Sequence, residues 1–589
     1  MEQKINKHKR AGAWTLVCVL ALAVLLSLLV WRVPFGYDWT DEAYYSAITY
    51  RLLQGDRLLV DTWEVHQFSA LLSAPVLGAY LALNGGSADG CILFMRYFYV
   101  SFQFLVSVYA FFVFRKRSGN LAAFFAAAML LGYTHYAINS FYYDSMALLF
   151  SVLSVLLVFE FFERGSGGFW RPAAGGAAYA ASILAFPYFV LSLPVYIAYW
   201  WIRIRKGGPG RRNGRGALWF LGGAAAVALI VAALIFTRAS FADVMGGVSG
   251  MLSDPDHQAT GVVRVLGSYL NAIRVLYGPV SYGAAGLLAL GVCASCTKKP
   301  KLKQAARLTG AIAAILLMLG VTLRAFTYDW AGYHRMNLIA TGLALLAPGL
   351  YFLSGRKADR VVFLYFLSCA LSITTQLGSN TRILAASGML LPASAATILY
   401  LFDQKEALFR FRFAERPDRR WKGGCVRGFQ TAAAVACLVF VTALFTLRAS
   451  AVYRDETIAN LDAMIEEGAA RGIYTTQESA SRHDRLVADI RDCAPDEGSI
   501  LITSLFAEGY MLTELSAATP SAYTIRMDSE WLNAYYEKNP QRRPSVVFAL
   551  DPDMDYNDRS MEGNEIYESD PDYEKTIFSS GIAYTLIED

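Results

Sequence analysis

The sequence predicts an all-α polytopic membrane protein of about 13 transmembrane helices, with interfacial helices in its first outer loop, followed by a small α/β domain. Three observations predict it. Of 589 residues, 55% are hydrophobic and only 17% charged, with a mean hydropathy of +0.35. The apolar residues come in runs of about 18–25, the length that crosses a hydrocarbon core of roughly 30 Å as a helix. Residues 451–589 then change character, with 11 basic against 28 acidic side chains, a net −17 that leaves +22 on the first 450 residues. The boundary therefore falls near Ser450, between a membrane domain (1–450) and a soluble domain (451–589). Backbone polar groups find no partner in lipid, so the apolar runs must be helices.

In chain order the spans fall near 11–33, 90–114, 120–138, 142–163, 173–187, 188–202, 215–237, 275–296, 308–326, 336–353, 360–378, 383–402 and 429–449. The stretch 173–202 is broken at Phe186-Pro187-Tyr188, and reads as a short hairpin or as one kinked helix. The basic loops decide between them. Lys and Arg gather in "MEQKINKHKR", "FRKRSGN", "RIRKGGPGRRNGRG", "TKKPKLKQAAR", "SGRKADR" and "FRFRFAERPDRRWKGGCVRG". The positive-inside rule puts all of these in the cytoplasm only if the break is a hairpin. That gives a multi-pass cell-membrane protein with a cytoplasmic N-terminus and an extracytoplasmic C-terminal domain. The first span lacks a convincing cleavage site and reads as a retained anchor.

Of eight cysteines only Cys493 lies in the tail, so no disulfide can form within it, and a bacterial envelope fits better than an oxidising lumen. Cys293 and Cys296 have C-x-x-C spacing, but no second ligand pair accompanies them, and they read as helix-end residues. The tail alternates apolar runs ("SILITSLF", "PSVVFAL") with the helical "TTQESASRHDRLVADIRDC", a small α/β pattern without a nucleotide fingerprint or catalytic motif. It reads as a structural or acceptor-docking cap.

The candidate chemistry sits after the first span. Thr40 is a plausible N-cap, which puts Asp41 and Glu42 in a first helical turn, and Tyr44, Ile48 and Leu52 recur at i, i+4, i+8 as an interfacial stripe. The bland account is that both acids complement the helix dipole. It does not explain why further polar groups gather on the same side: His66 in "DTWEVHQFSA", Asp144 in the short turn "NSFYYDSMALLF", and Arg96 about two turns inside the second span. An intramembrane Arg is costly unless it is paired or faces a polar cavity. Its forked donors suit phosphate, and a carboxylate suits removal of a proton from a hydroxyl. Asp243, Asp254, Asp256, His257, Asp329, His334, Arg335, Asn380 and Arg382 also fall in outer loops. Most such positions are simply solvated; Arg335 and Arg382, at outward-facing span starts, are second candidates for phosphate.

The run "TDEAYYSAITYRLLQGD … WEVHQFSALLSAPVLGAYL … LFMRYFYV" resembles the first outer loop of the GT-C glycosyltransferases. It is most similar to the branch of protein O-mannosyltransferases and lipid A aminoarabinose transferases. The shared features are an Asp-Glu pair after the first span, two interfacial helices with a Gly-Asp step between, and a span bearing Arg. An acidic second outer loop, here carrying Asp144, follows. Gln67-Phe68 stands where that family often has two prolines after its histidine, and no D-x-D metal motif of the oligosaccharyltransferase type is evident. The resemblance covers roughly residues 11–200. It implies inverting transfer of a sugar from a polyprenyl-phosphate donor to an extracytoplasmic lipid, glycan or protein acceptor. Asp41 would be the general base, and Glu42 would orient it or contact the acceptor. Arg96, with His66, would hold the lipid phosphate. Asp144 would shape the acceptor site, or share a divalent metal ion with Asp41 and His66. Nucleic acid is not an expected partner.

A transporter or flippase is the competing reading. It would show interrupted helices at matching places in both halves, whereas only the Pro187 interruption is evident. An O-antigen polymerase or ligase would carry a large arginine-bearing loop between late spans, but here the bulk is C-terminal and acidic.

Overall fold

Helices stand at each of the thirteen expected spans. The computed structural model describes residues 2–587 apart from 165–167, 207–209, 253–260, 329–331, 355–358, 380–385, 404–418, 504, 523–528, 552–553 and 555–566. Among these residues the helices are α1 (Glu2–Arg32), α2 (Asp41–Leu53), α3 (Ala70–Leu83), α4 (Cys91–Gly132), α5 (Tyr143–Arg164), α6 (Trp170–Ala185) and α7 (Leu193–Arg205). There follow α8 (Gly210–Phe236), α9 (Phe241–Leu252), α10 (Val262–Tyr277), α11 (Pro279–Cys296), α12 (Pro300–Thr327), α13 (Gly332–Ala344), α14 (Ala347–Ser354) and α15 (Asp359–Ser379). Last come α16 (Leu391–Asp403), α17 (Arg419–Ser450), α18 (Gln477–Cys493) and α19 (Ser529–Lys538). Eight helices among the described residues are long and apolar enough to cross a membrane, which makes this a multi-pass membrane protein. The count falls short of thirteen because α4 holds two expected spans, broken at Gly119 (φ +81°), and because several other spans are short helices.

The Pro187 break is a hairpin. The rings of Tyr179 in α6 and Tyr196 in α7 lie 4.7 Å apart. One continuous helix would hold them about 25 Å apart at 1.5 Å per residue. A 3-10 turn at Pro187–Ser192 joins the two helices. Helices α6 and α8 meet through small residues on both sides: a Cβ on Gly176 would sit 1.8 Å from the Phe220 carbonyl oxygen, and one on Gly223 1.9 Å from that of Ala173. Backbones approach this closely only where side chains are absent.

Beyond α17 the chain forms a two-stranded pair, β1 (Ala463–Met464) with β2 (Tyr474–Thr475), and a five-stranded sheet. The sheet comprises β3 (Ser499–Ile502), β4 (Ser516–Ala517), β5 (Val546–Leu550), β6 (Tyr573–Ile577) and β7 (Gly581–Leu586), in the order β4-β3-β5-β7-β6. β3 runs parallel to β4 and β5, and β7 antiparallel to β5 and β6. Wholly buried β3 and β5 are the "SILI" and "VVFAL" runs.

This tail is bound tightly to the first loop. Tyr474 N–H donates to the Pro34 carbonyl and Gly36 N–H to the Tyr474 carbonyl, both at 2.8 Å. Gly90 N–H reaches the Gly468 carbonyl, Trp63 N–H that of Pro520, and Arg51 Nη2 that of Thr519. Trp63 inserts between Trp531 and Tyr535 of α19 (ring centroids 6.0 and 5.3 Å). One apolar core runs from Leu29 and Tyr44 through Ile465 and Ile490 to Phe548. Helix α2 consequently differs from the expected interfacial stripe. Residues 42–51 are all buried, with the tail turn at Ala507–Met511 covering the face that was expected to meet solvent.

Candidate functional site

The polar groups converge where the α2 N-terminus, the turn before α5, the start of α13 and the chain just after α17 come together. Thr40 does not cap α2 with its side chain. Asp38 does that work: Oδ1 accepts from Thr40 N–H (3.1 Å) and Oγ1 (2.9 Å), and Oδ2 from Glu42 N–H (3.1 Å). Thr40 Oγ1 accepts in turn from Arg454 Nη1 at 2.7 Å. Burial, and then the neighbouring carboxylates of Asp41 and Glu42, push the Asp38 carboxyl up to about 7.

Asp41 and Glu42 face different surroundings. Glu42 is 1% exposed and held by Arg96, Nε to Oε1 at 2.7 Å and Nη2 to Oε2 at 2.5 Å. The remaining Arg96 donors reach the Val33 carbonyl (2.9 Å) and that of Gly36 (2.7 Å). The guanidinium thus ties α4 to the chain between α1 and α2, with every nitrogen engaged inside the protein. Asp41 is half-buried. Its Oδ2 accepts from Tyr453 Oη at 2.6 Å, while Oδ1 carries no hydrogen bond among the described residues. Burial, then Asp41 itself, raises the Tyr453 phenol well above its ordinary range, so it stays a donor.

Asp144, in the first turn of α5, is 5% exposed, and its Oδ2 lies 3.0 Å from His135 Nδ1. Tyr142 Oη is 2.8 Å from the same nitrogen. Asp144 Oδ1 and His135 Nε2 are both buried without a hydrogen-bond partner among the described residues. The turn that presents His135 is strained, since Tyr136 (φ +50°) and Ala137 (φ +65°) are successive non-glycine residues in the left-handed region. Tyr136 links the parts of the site, stacking with Tyr453 (6.1 Å) and meeting His334 edge-on (5.2 Å). Arg335 is half-buried beside that histidine.

His66 is buried, its imidazole stacked flat on Tyr143 (3.8 Å). Tyr143 also meets Tyr45 edge-on (4.9 Å), and Tyr45 stacks on Tyr142 (5.2 Å). Asp41, His66 and Asp144 thus surround one tyrosine cluster, but not as a ligand shell. Asp41 Oδ2 accepts from Tyr453, Asp144 Oδ2 is paired with His135, and His66 is stacked on Tyr143. Among the described residues no three His, Cys, Asp or Glu side chains are grouped to hold a metal ion. Arg382, Asn380, Asp329, Asp254, Asp256 and His257 lie outside the described residues. Asp243 is exposed and turned back on Ser240 (2.7 Å).

Four participants escaped the sequence reading. Asp38 had a usable signal in "GYDWTDE", three residues before Asp41, and His135 one in "THYAINSFYYD". Tyr453 and Arg454 had none, since Tyr453 meets Asp41 across 412 residues of chain.

No family model matches the chain, and no curated protein matches it. Among solved structures it is similar to the oligosaccharyltransferase of Archaeoglobus fulgidus in complex with Zn and sulfate. Identity there is 12% and the TM-score 0.49, over 97% of this chain and 73% of that one. It is also similar to ArnT from Cupriavidus metallidurans in the apo state, at 13% identity and a TM-score of 0.42 over 98% of each chain.

Proposed function

We propose that the protein is a glycosyltransferase of the GT-C type, moving a sugar from a polyprenyl-phosphate carrier to an acceptor hydroxyl on the extracytoplasmic side, with inversion. The observation that carries this reading is the contrast among the clustered acids. Asp38, Glu42 and Asp144 are buried, whereas Asp41 is half-buried with one oxygen fixed by Tyr453 and the other open. A carboxylate oriented in this way is suited to take a proton from an incoming hydroxyl. The acceptor oxygen then bonds to the anomeric carbon as the bond from that carbon to the phosphate oxygen breaks. The electron pair leaves with the phosphate, and the hydroxyl proton ends on Asp41.

The other roles follow from what each group has free. Arg96 is taken up by Glu42 and two carbonyls, so the pair positions Asp41 rather than meeting the donor. The leaving phosphate needs a preorganised cation or donor in a dry site. His135, oriented by Asp144 through Nδ1, and Arg335 serve that need, with Arg382 a further candidate. The resemblance of the first loop, "TDEAYYSAITYRLLQGD" through "LFMRYFYV", supports the carrier class.

The decisive experiment is transfer from a polyprenyl-phosphate sugar by purified protein and its Asp41→Asn variant. Loss of at least about 10³-fold in rate, with unchanged melting temperature, is the expected result. A fully active Asp41→Asn protein removes Asp41 as the base, and absence of transfer by the wild type overturns the reading in favour of transport.

A further inference from the structure

A second cluster of charge lies at the opposite end of the bundle, about 30 Å from Asp144 along the length of α5. Glu163, in the last turn of α5, supplies a carboxylate to it. Its Oε1 is ion-paired with Arg117, Nε at 3.2 Å, and accepts from Arg360 Nη1 at the start of α15. Arg203, in the last turn of α7, sits in the same neighbourhood and lies over the Phe162 ring at 4.7 Å, as Arg360 does over Phe159 at 5.2 Å. The nearby Glu160 is already committed to Arg171 (3.2 Å), Lys116 (3.4 Å) and Tyr109 (2.8 Å).

Among the described residues Arg117 and Arg360 therefore share the Glu163 carboxylate, with the Arg203 guanidinium close by, which leaves an excess of positive charge. The donors of that excess are specific. Arg360 Nε and Nη2, and Arg203 Nε, are buried without a hydrogen-bond partner among the described residues, as is the Glu163 Oε2 acceptor. Buried donors on a charged group left unmade are costly. Nε and Nη2 form the side-on edge of a guanidinium, the two parallel donors that match two oxygens of one phosphate. The helix ends that carry them belong where a membrane's phosphate layer lies.

We infer that Arg360 and Arg203, with Arg117 alongside, form a binding site for a phosphate-type oxyanion, distinct from the proposed sugar-transfer site and independent of that reading. The oxyanion is either the headgroup of an anionic bilayer lipid or a free phosphate, and the experiment separates the two.

Full-length protein, stripped of lipid in detergent, is titrated with phosphatidylglycerol, with an uncharged monoacylglycerol and with inorganic phosphate, and bound ligand is counted by native mass spectrometry. Wild type takes up phosphatidylglycerol in preference to the uncharged lipid. Arg360→Gln binds it at least about tenfold more weakly. Arg360→Lys, which keeps the charge but loses the two-pronged edge, does not restore binding. Arg205→Gln, whose guanidinium lies over Trp201 (4.1 Å), stays at the wild-type level. Displacement of the lipid by inorganic phosphate assigns the site to free oxyanions as well, and lack of displacement assigns it to headgroups. If Arg360→Gln does not fold, Arg203→Gln reads the same site. Wild-type affinity in Arg360→Gln, or in Arg203→Gln where the first does not fold, overturns the inference.

Discussion

Arg96 grips Glu42 through two parallel N–H···O bonds of 2.7 and 2.5 Å, with both side chains buried. Removing one partner leaves a buried charge without its counterpart. Arg96→Leu and Glu42→Leu are each expected to cost about 3–5 kcal/mol, and the double replacement clearly less than their sum. Thermal unfolding in detergent checks this. Additive losses would mean that the two side chains are not coupled.

Tyr453 fixes one oxygen of Asp41 from the far end of the chain. Tyr453→Phe removes a hydrogen bond to a charged group, worth about 1.5–3 kcal/mol. The transfer rate should fall by roughly 10–100-fold while the melting temperature changes little. Steady-state kinetics beside Asp41→Asn test it, and a Tyr453→Phe enzyme at full rate would remove the tyrosine from the mechanism.

Asp38 makes stability fall as pH rises. Its folded-state pKa, about 7, lies above that of an unfolded aspartate, so the folded protein holds the proton more tightly. The favourable contribution is complete below about pH 4 and is lost as pH climbs toward 7. Asp38→Asn should flatten melting temperature between pH 4 and 7, while costing about 1 kcal/mol because its amide nitrogen cannot accept the hydrogen bonding that one of the two carboxylate oxygens takes. An unchanged slope would assign the pH dependence to another group.

His483 works with the same sign at higher pH. It is wholly buried, with Nε2 3.0 Å from Glu508 Oε1, while Tyr37 Oη donates to Glu508 Oε2 at 3.0 Å. Burial alone would lower its pKa, but the Glu508 charge outweighs it and brings the imidazole to about 9. Its stabilisation is full below about pH 6.5 and is lost as pH passes 9. Hydrogen exchange in residues 463–475 should therefore quicken above pH 9, and His483→Gln should show the faster exchange already at pH 7.

The α6–α8 contact is predicted to reject any side chain. Gly176→Ala places a methyl group 1.8 Å from a backbone oxygen, which no rotamer relieves, so the helices must part. A loss of about 1–3 kcal/mol is expected, against almost none for Gly222→Ala, where the added carbon meets open space.

Helix positions were legible in the sequence because lipid leaves the backbone one option, and the hairpin at Pro187 followed from where the basic loops must lie. Asp41 and Glu42 were legible as a pair, since both their charges and their place after a span are local features. Their division of labour was not, because it depends on Arg96 turning toward one of them. The stripe of Tyr44, Ile48 and Leu52 suggested a helix with a wet face, yet the tail covers that face, and no local pattern encodes a partner 450 residues away. Asp38 was overlooked for a different reason: a carboxylate just outside a helix looks solvated until its burial is known.

The contact between Tyr453 and Asp41 orders events during synthesis. The acid is made among the first residues, but the phenol that orients it emerges only after the last membrane helix. A ribosome-bound chain could insert every helix and still lack a finished pocket. On the proposed function, a chain stopped just before residue 453 would insert its helices yet lack the phenol that orients its base.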